Sequence, residues 1–133
     1  MSSYAVHEPL ILTTFPLPSV ALVTINRPNK LNAFAEPSWR ALAACFAQLS
    51  RDPDVRAVVL TGAGDRAFSA GLDVAAAAGE ISAAAGESTD VARRAKGLRA
   101  HVLDFQAAVA TVDQCEKRGF SFVSCSTFSS FHR

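Results

Sequence analysis

The chain has 133 residues, 50% of them hydrophobic and 19% charged, the make-up of one globular domain rather than a disordered or fibrous segment. Thirteen Lys and Arg against twelve Asp and Glu leave a net charge of +1. No overall field therefore draws in nucleic acid or an anionic membrane, and an anionic ligand has to be held locally.

Cys45, Cys115 and Cys125 are far apart and form no CxxC pair, which argues against a disulfide framework or a zinc site and for a reducing compartment. Met1 to Leu12 has no basic region before an apolar stretch, and no apolar run reaches the ~18 residues of a membrane span. A soluble, non-secreted protein is expected. The ending Phe131-His132-Arg133 is not the S-K-L peroxisomal address.

In chain order, Ile11 to Phe15 and Val20 to Ile25 are short runs of apolar and β-branched residues separated by Pro16, Pro18 and Ser19, which predicts a hairpin. From Pro37, residues Trp39, Leu42, Ala43, Phe46 and Leu49 fall at helical spacing until Asp52-Pro53, an amphipathic helix of about four turns. Ala57-Val58-Val59-Leu60, bounded by Asp-Pro and by Gly62-Ala63-Gly64, reads as a strand covered on both faces. The intervening helix is a crossover of suitable length for parallel strands, so an α/β fold is expected.

Between Ala75 and Thr89 the chain is mostly Ala, Gly and Ser, interrupted at Gly79 and Gly86, which predicts a mobile connection. Val91, Ala95, Leu98, Val102, Phe105, Val109 and Val112 then keep one apolar stripe along a long helix that Asp90 caps. Arg93, Arg94, Lys96 and Arg99 form its solvated face. Composition shifts at Arg118: residues 118–133 gather Phe120, Phe122, Phe128 and Phe131 among five serines, without sustained periodicity. That tail is expected to be foreign to the domain of residues 1–117, the alternative being a short aromatic strand on the core.

Thr61 to Asp73 follows the buried strand and precedes an alanine-rich run. Its glycines at 62, 64 and 71 allow tight turns and close approach to a ligand, and backbone N–H groups at a helix start near Leu72 favour negative charge. The spacing matches no phosphate-binding glycine motif, and Asp73 reads equally well as a carboxylate favoured by the helix dipole. His7, His101 and His132 have neither metal-ligand nor triad spacing, so no metal site is expected.

Several motifs occur together: Ala21-Leu22-Val23-Thr24-Ile25-Asn26-Arg27-Pro28, Lys30-Leu31-Asn32-Ala33-Phe34, Asp54 to Gly62, and Ala67-Phe68-Ser69-Ala70-Gly71-Leu72-Asp73. In order and spacing the chain from Leu10 to Lys117 resembles the crotonase (enoyl-CoA hydratase/isomerase) family. Ser69 to Asp73, with Arg93-Arg94-Ala95 and Phe105-Gln106, is most similar to its dienoyl-CoA isomerase branch.

The resemblance implies part of a fold of repeated strand-strand-helix turns, homo-oligomeric as trimers or hexamers, that binds an acyl-CoA thioester. CoA enters as part of the substrate, with no separate cofactor. By the same resemblance the Leu72 N–H is the first oxyanion donor, Ser69, Ala70, Gly71 and Asp73 surround the substrate, and Lys30 and Ala33 line the CoA pocket. The family works on fatty acids in peroxisomes or mitochondria. Its second donor and its proton-transferring carboxylates lie past a Lys-Pro-Val-like strand start, where this chain has Glu116-Lys117-Arg118-Gly119. The chain is therefore expected to be an inactive amino-terminal half, the alternative being a noncatalytic acyl-CoA-binding or subunit-interaction module.

Overall fold

The computed structural model describes residues 4, 7, 9–85, 90–117 and 121–122. Strands β1 (Ile11–Leu17) and β2 (Val20–Ile25) form the expected antiparallel hairpin. Ser19 turns the chain at a positive φ of 62°. The register shifts between Thr14 and Leu17, so Pro16, which cannot donate to a ladder, sits at an irregularity on an edge strand.

After a 3-10 turn at Pro28–Lys30, helix α1 (Glu36–Arg51) carries the chain across to β3 (Ala57–Gly62). β3 lies parallel to β2, from Val20 opposite Ala57 to Ile25 opposite Gly62, as the crossover argument requires. Helices α2 (Val74–Ala85) and α3 (Val91–Asp113) follow, and β4 (Ser121–Phe122) pairs in parallel with β3. The sheet order is β1-β2-β3-β4.

The core lies between one sheet face and α1. Ile11, Ala21, Val23, Ile25, Val58 and Leu60 point into it from the sheet, and Leu42, Cys45, Phe46 and Leu49 from the helix. Each large apolar side chain among them contributes about 1.5–3 kcal/mol when fully buried. Tyr4 closes one end, its hydroxyl donating to Asp52 Oδ2 at 2.7 Å. Burial and that carboxylate push its pKa well above the ordinary tyrosine value.

Three expectations need correction. β3 is not covered on both faces: Val58, Leu60 and Gly62 are buried, whereas Ala57, Val59 and Thr61 are half-buried, because α1 packs on one side only. Residues 74–85 form a helix instead of a mobile connection. Asp73 caps it, and an alanine-rich stretch propagates readily once its first turn is nucleated. The remainder of that expected connection, residues 86–89, lies outside the described residues.

The third correction concerns α3. Asp90 accepts from the Ala92 N–H at 3.0 Å and caps the helix as expected, but the buried face differs from the predicted stripe. Ala108 and Val112 are buried and Phe105 is half-buried, while Val91, Val102 and Val109 are exposed. Trp39 sets this orientation, since His101 and Phe105 pack edge-on to it at centroid distances of 6.1 and 5.6 Å. Of the tail expected to be foreign, Ser121 and Phe122 supply β4, and the rest of residues 118–133 lies outside the described residues.

Candidate acyl-thioester site

Two chain segments meet at the end of the β2-β3 pair. The first runs from Arg27 to Phe34 and turns through left-handed conformations at Leu31 and Asn32 (φ 51° and 56°). The second runs from Gly62 to Asp73. Asn32 joins them. Fully buried, it donates from Nδ2 to the carbonyls of Ala63 and Ala67, both at 2.9 Å, and accepts at Oδ1 from the Arg27 N–H at 3.0 Å. Asparagine tolerates the left-handed region and satisfies three partners at once, which explains this residue type here.

Gly62 is required by this clamp. A Cβ there would stand 2.2 Å from the Phe68 carbonyl oxygen and 2.7 Å from Asn32 Nδ2, so only glycine lets the two segments close on each other.

Beyond the clamp the segments run as parallel extended chains. Ala70 donates to the Leu31 carbonyl, Phe34 to the Gly71 carbonyl, and Asp73 to the Phe34 carbonyl, at 2.9, 2.7 and 2.8 Å. Phe34 and Leu72 thereby form an isolated parallel bridge. In a parallel bridge the residues flanking one partner make the hydrogen bonds, here Gly71 and Asp73. Leu72 itself keeps its N–H turned away from Phe34.

Ser69 Oγ accepts from the Gly71 N–H at 3.1 Å and donates to the Asn32 carbonyl at 2.8 Å. From Ala70 to Asp73, three of the four N–H groups are thus committed. The Leu72 N–H has no partner among the described residues, and Leu72 is 46% exposed. Gly71, immediately before it, adopts φ 89° with open space around its Cα.

The helix start lies two residues from Leu72, close to where the sequence expects it. α2 begins at Val74, and its first N–H groups are occupied by Asp73, whose Oδ1 accepts from Ala76 at 3.2 Å and whose carbonyl accepts from Ala77 at 2.8 Å. Asp73 is therefore the cap of α2. Its other oxygen meets Arg27 Nη2 at 3.2 Å. The Ala76 N–H, then Arg27 and Lys30, hold its pKa below the ordinary carboxylate value against a smaller opposing effect of burial.

The remaining predicted site residues divide. Lys30 is exposed beside this carboxylate, and Ser69 is half-buried with Ala70 and Gly71 exposed. Ala33 is buried, with its carbonyl accepting from Arg27 Nη1, so it supports the site from behind. Asn32 and Arg27 fall within the sequence motifs, yet spacing carries no sign of their roles. An apolar cavity of about 300 Å³ adjoins the site, lined by Phe34, Trp39, Leu42, Leu60, Phe68 and Val109, among others.

The enoyl-CoA hydratase/isomerase family matches residues 17–112. The chain belongs to this family. Over 95 residues it is 41% identical to the mitochondrial Delta(3,5)-Delta(2,4)-dienoyl-CoA isomerase of Homo sapiens, covering 71% of this chain and 28% of that protein. A mevalonyl-coenzyme A hydratase of Beauveria bassiana is 47% identical over 70 residues, 53% of this chain and 24% of that one. The chain thus spans about a quarter of these relatives' length.

Among solved structures, an enoyl-CoA hydratase/carnithine racemase of Magnetospirillum magneticum superposes with a TM-score of 0.68 at 28% identity, over 87% of this chain and 39% of that one. An enoyl-CoA hydratase/isomerase of Mycobacterium paratuberculosis gives 0.63 at 31% identity, over 87% and 41%. The expected partial crotonase fold is therefore present. Membership in this family gives the two clamped segments their context, since both lie within the matched residues.

Proposed function

We infer that the Leu72 N–H polarises the carbonyl of a bound acyl-CoA thioester, as the first donor of an oxyanion hole. The observation that carries this reading is the one amide between Ala70 and Asp73 without a partner among the described residues, in a residue 46% exposed and flanked by bonded neighbours. Such a donor is already oriented before charge develops, which is what makes it effective. Lys30 lies beside the loop as a cation for CoA phosphates, with Ser69, Ala70 and Gly71 as the backbone against which the nucleotide end rests. The apolar cavity behind Phe34 and Phe68 supplies volume suited to an acyl tail.

The family and the isomerase relatives support a dienoyl-CoA of fatty acid β-oxidation as the substrate class. Moving protons beside a thioester carbonyl gathers charge on its oxygen, and one amide donor fewer costs about a hundred- to a thousandfold in rate. Asp73 is committed to Arg27 and Ala76, and Glu80 accepts from the Glu36 N–H. Both are thus engaged in structural contacts, and Glu87 lies outside the described residues. We therefore assign this chain acyl-CoA binding with negligible turnover by itself. The human relative's name favours mitochondria over peroxisomes as the compartment.

A subunit-interaction role has one observation in its favour: Val91, Val102, Leu103 and Val109 on α3 are exposed, an apolar face that a second protein surface would cover. The test of the main reading is infrared spectroscopy of an acyl-CoA mixed with the 133-residue chain. A thioester carbonyl stretch lowered on binding, without product formation, is expected. Absence of binding overturns the reading of the loop, and turnover at the rate of an intact enzyme overturns that of inactivity.

A further inference from the structure

Three helices bring together Glu36, Glu80 and His101, one from each. Their nearest ligand atoms all lie within 4.8 Å of one another. We propose that this cluster is a binding site for a divalent transition-metal ion of the zinc class, independent of the acyl-thioester loop.

The placement of the carboxylates is specific. Glu80 Oε1 accepts from the Glu36 backbone N–H at 2.6 Å, and so caps α1 from a different helix, because Ala35 at the cap position has no side-chain oxygen. Glu36 Oε1 accepts from Arg40 Nε at 2.7 Å. Each Glu keeps its Oε2 without a hydrogen-bond partner among the described residues, and so do the ring nitrogens of His101. Two carboxylates and an imidazole, each half-buried, therefore stand together, and each has a lone pair free of hydrogen bonds among the described residues.

The geometry suits a small ion. The centre of a triangle with 4.8 Å sides lies about 2.8 Å from each corner, and Zn–N and Zn–O bonds are about 2.0–2.2 Å. Side-chain rotations moving each ligand atom inward by less than about 1 Å complete the coordination. Two carboxylates neutralise the ion's charge, and the imidazole selects zinc-like metals over Mg²⁺ or Ca²⁺, which prefer oxygen. Three protein ligands leave a fourth position for water. Arg40 competes for Glu36, and it yields without being stranded because it also faces Asp104 at 3.8 Å and lies 4.6 Å above the Trp39 ring.

An ion here clamps α2 to α1 and α3. That matters because α2 is otherwise lightly anchored: Ala77 is its one buried residue among those described.

The only tryptophan of the chain, Trp39, packs against His101 and reports on occupancy. Co²⁺ titrated into the 133-residue chain should quench Trp39 fluorescence to a plateau. Zn²⁺ should reverse the quenching and Mg²⁺ should not. Glu80→Gln, which keeps the side chain's shape and its acceptor oxygen, and His101→Ala should each weaken Co²⁺ binding by at least about tenfold. Quenching that never saturates, or that is unchanged in both variants, overturns the proposal. The Gln variant keeps the test decisive should the His101 change disturb the aromatic packing.

Discussion

The Arg27 guanidinium reaches Asp73 across two segments of the fold, Nη2 lying 3.2 Å from Oδ2, while its Nη1 donates to the Ala33 carbonyl. One side chain thus holds the end of β2, the turn after it and the cap of α2 in a single arrangement. Folding lowers the pKa of Asp73, so the unfolded chain holds that proton more tightly. The resulting stabilisation is complete above the unfolded value of ~3.9 and is lost as pH falls through the lower folded value. Asp73→Asn retains a capping side chain and loses the charge. The variant should be less stable than the parent at neutral pH and should converge with it in acid, as measured by urea melts across that range.

Asn32→Ala should be among the most damaging single changes. It strands the carbonyls of Ala63 and Ala67 and the Arg27 N–H, each of which costs about 1–3 kcal/mol if unsatisfied and buried, and it leaves alanine in a left-handed conformation. A loss of about 3 kcal/mol or more is expected in denaturant titration. Gly62→Ala should be comparably harmful for a steric reason, since its new methyl group meets backbone oxygens that cannot retreat. Stability within about 0.5 kcal/mol of the parent for both variants would contradict the clamp.

Gly79→Ala should act in the opposite direction. Gly79 lies inside α2, and no atom stands within 4 Å of the place a Cβ would occupy, so alanine gains about 1 kcal/mol of helix propensity without a clash. Slower amide exchange through Val74–Ala85 is the expected readout. Faster exchange there would show that α2 needs the glycine.

Lys30→Glu tests the electrostatic half of the proposed CoA site. Lys30 is exposed and makes no ion pair within 4 Å among the described residues, so the melting temperature should change little. Affinity for CoA should fall by about tenfold at low salt, with a shrinking difference as salt is added. Equal affinity at low salt would remove Lys30 from the site.

Leu72→Pro removes the candidate donor directly. No hydrogen bond among the described residues is lost with that N–H. The bound thioester's carbonyl stretch should return toward its free-solution value while CoA itself still binds. A stretch as low as in the parent would place the polarising group elsewhere.

The hairpin, α1 and β3 are legible in the sequence because local signals agree with the tertiary outcome: β-branched runs, Ser19 at a turn, and an apolar period closed by Asp52-Pro53. The start of α2 is legible near Leu72 but its extent is not, since an Ala-Gly run carries no periodicity and its anchors, Asp73 and Glu80, act through Arg27 and Glu36, far away in sequence. The buried face of α3 departs from its apolar stripe for a related reason: alanine and histidine at 108 and 101 pack where the pattern puts valines, because Trp39 selects the rotation. The loop carrying Leu72 can be located from its linked motifs. Which amide stays uncommitted cannot, because that depends on the bridge to Phe34.

The parallel pairing of β2 with β3 also dictates an order of assembly. β1 and β2 join across a turn at Ser19, an event of about 1–10 μs, whereas β3 can dock only after α1 has returned the chain to the same end. Loop-closure entropy delays that second pairing. A nascent polypeptide would therefore display a bare strand edge, poised for intermolecular zippering, until residues 57–62 have left the ribosome and covered it.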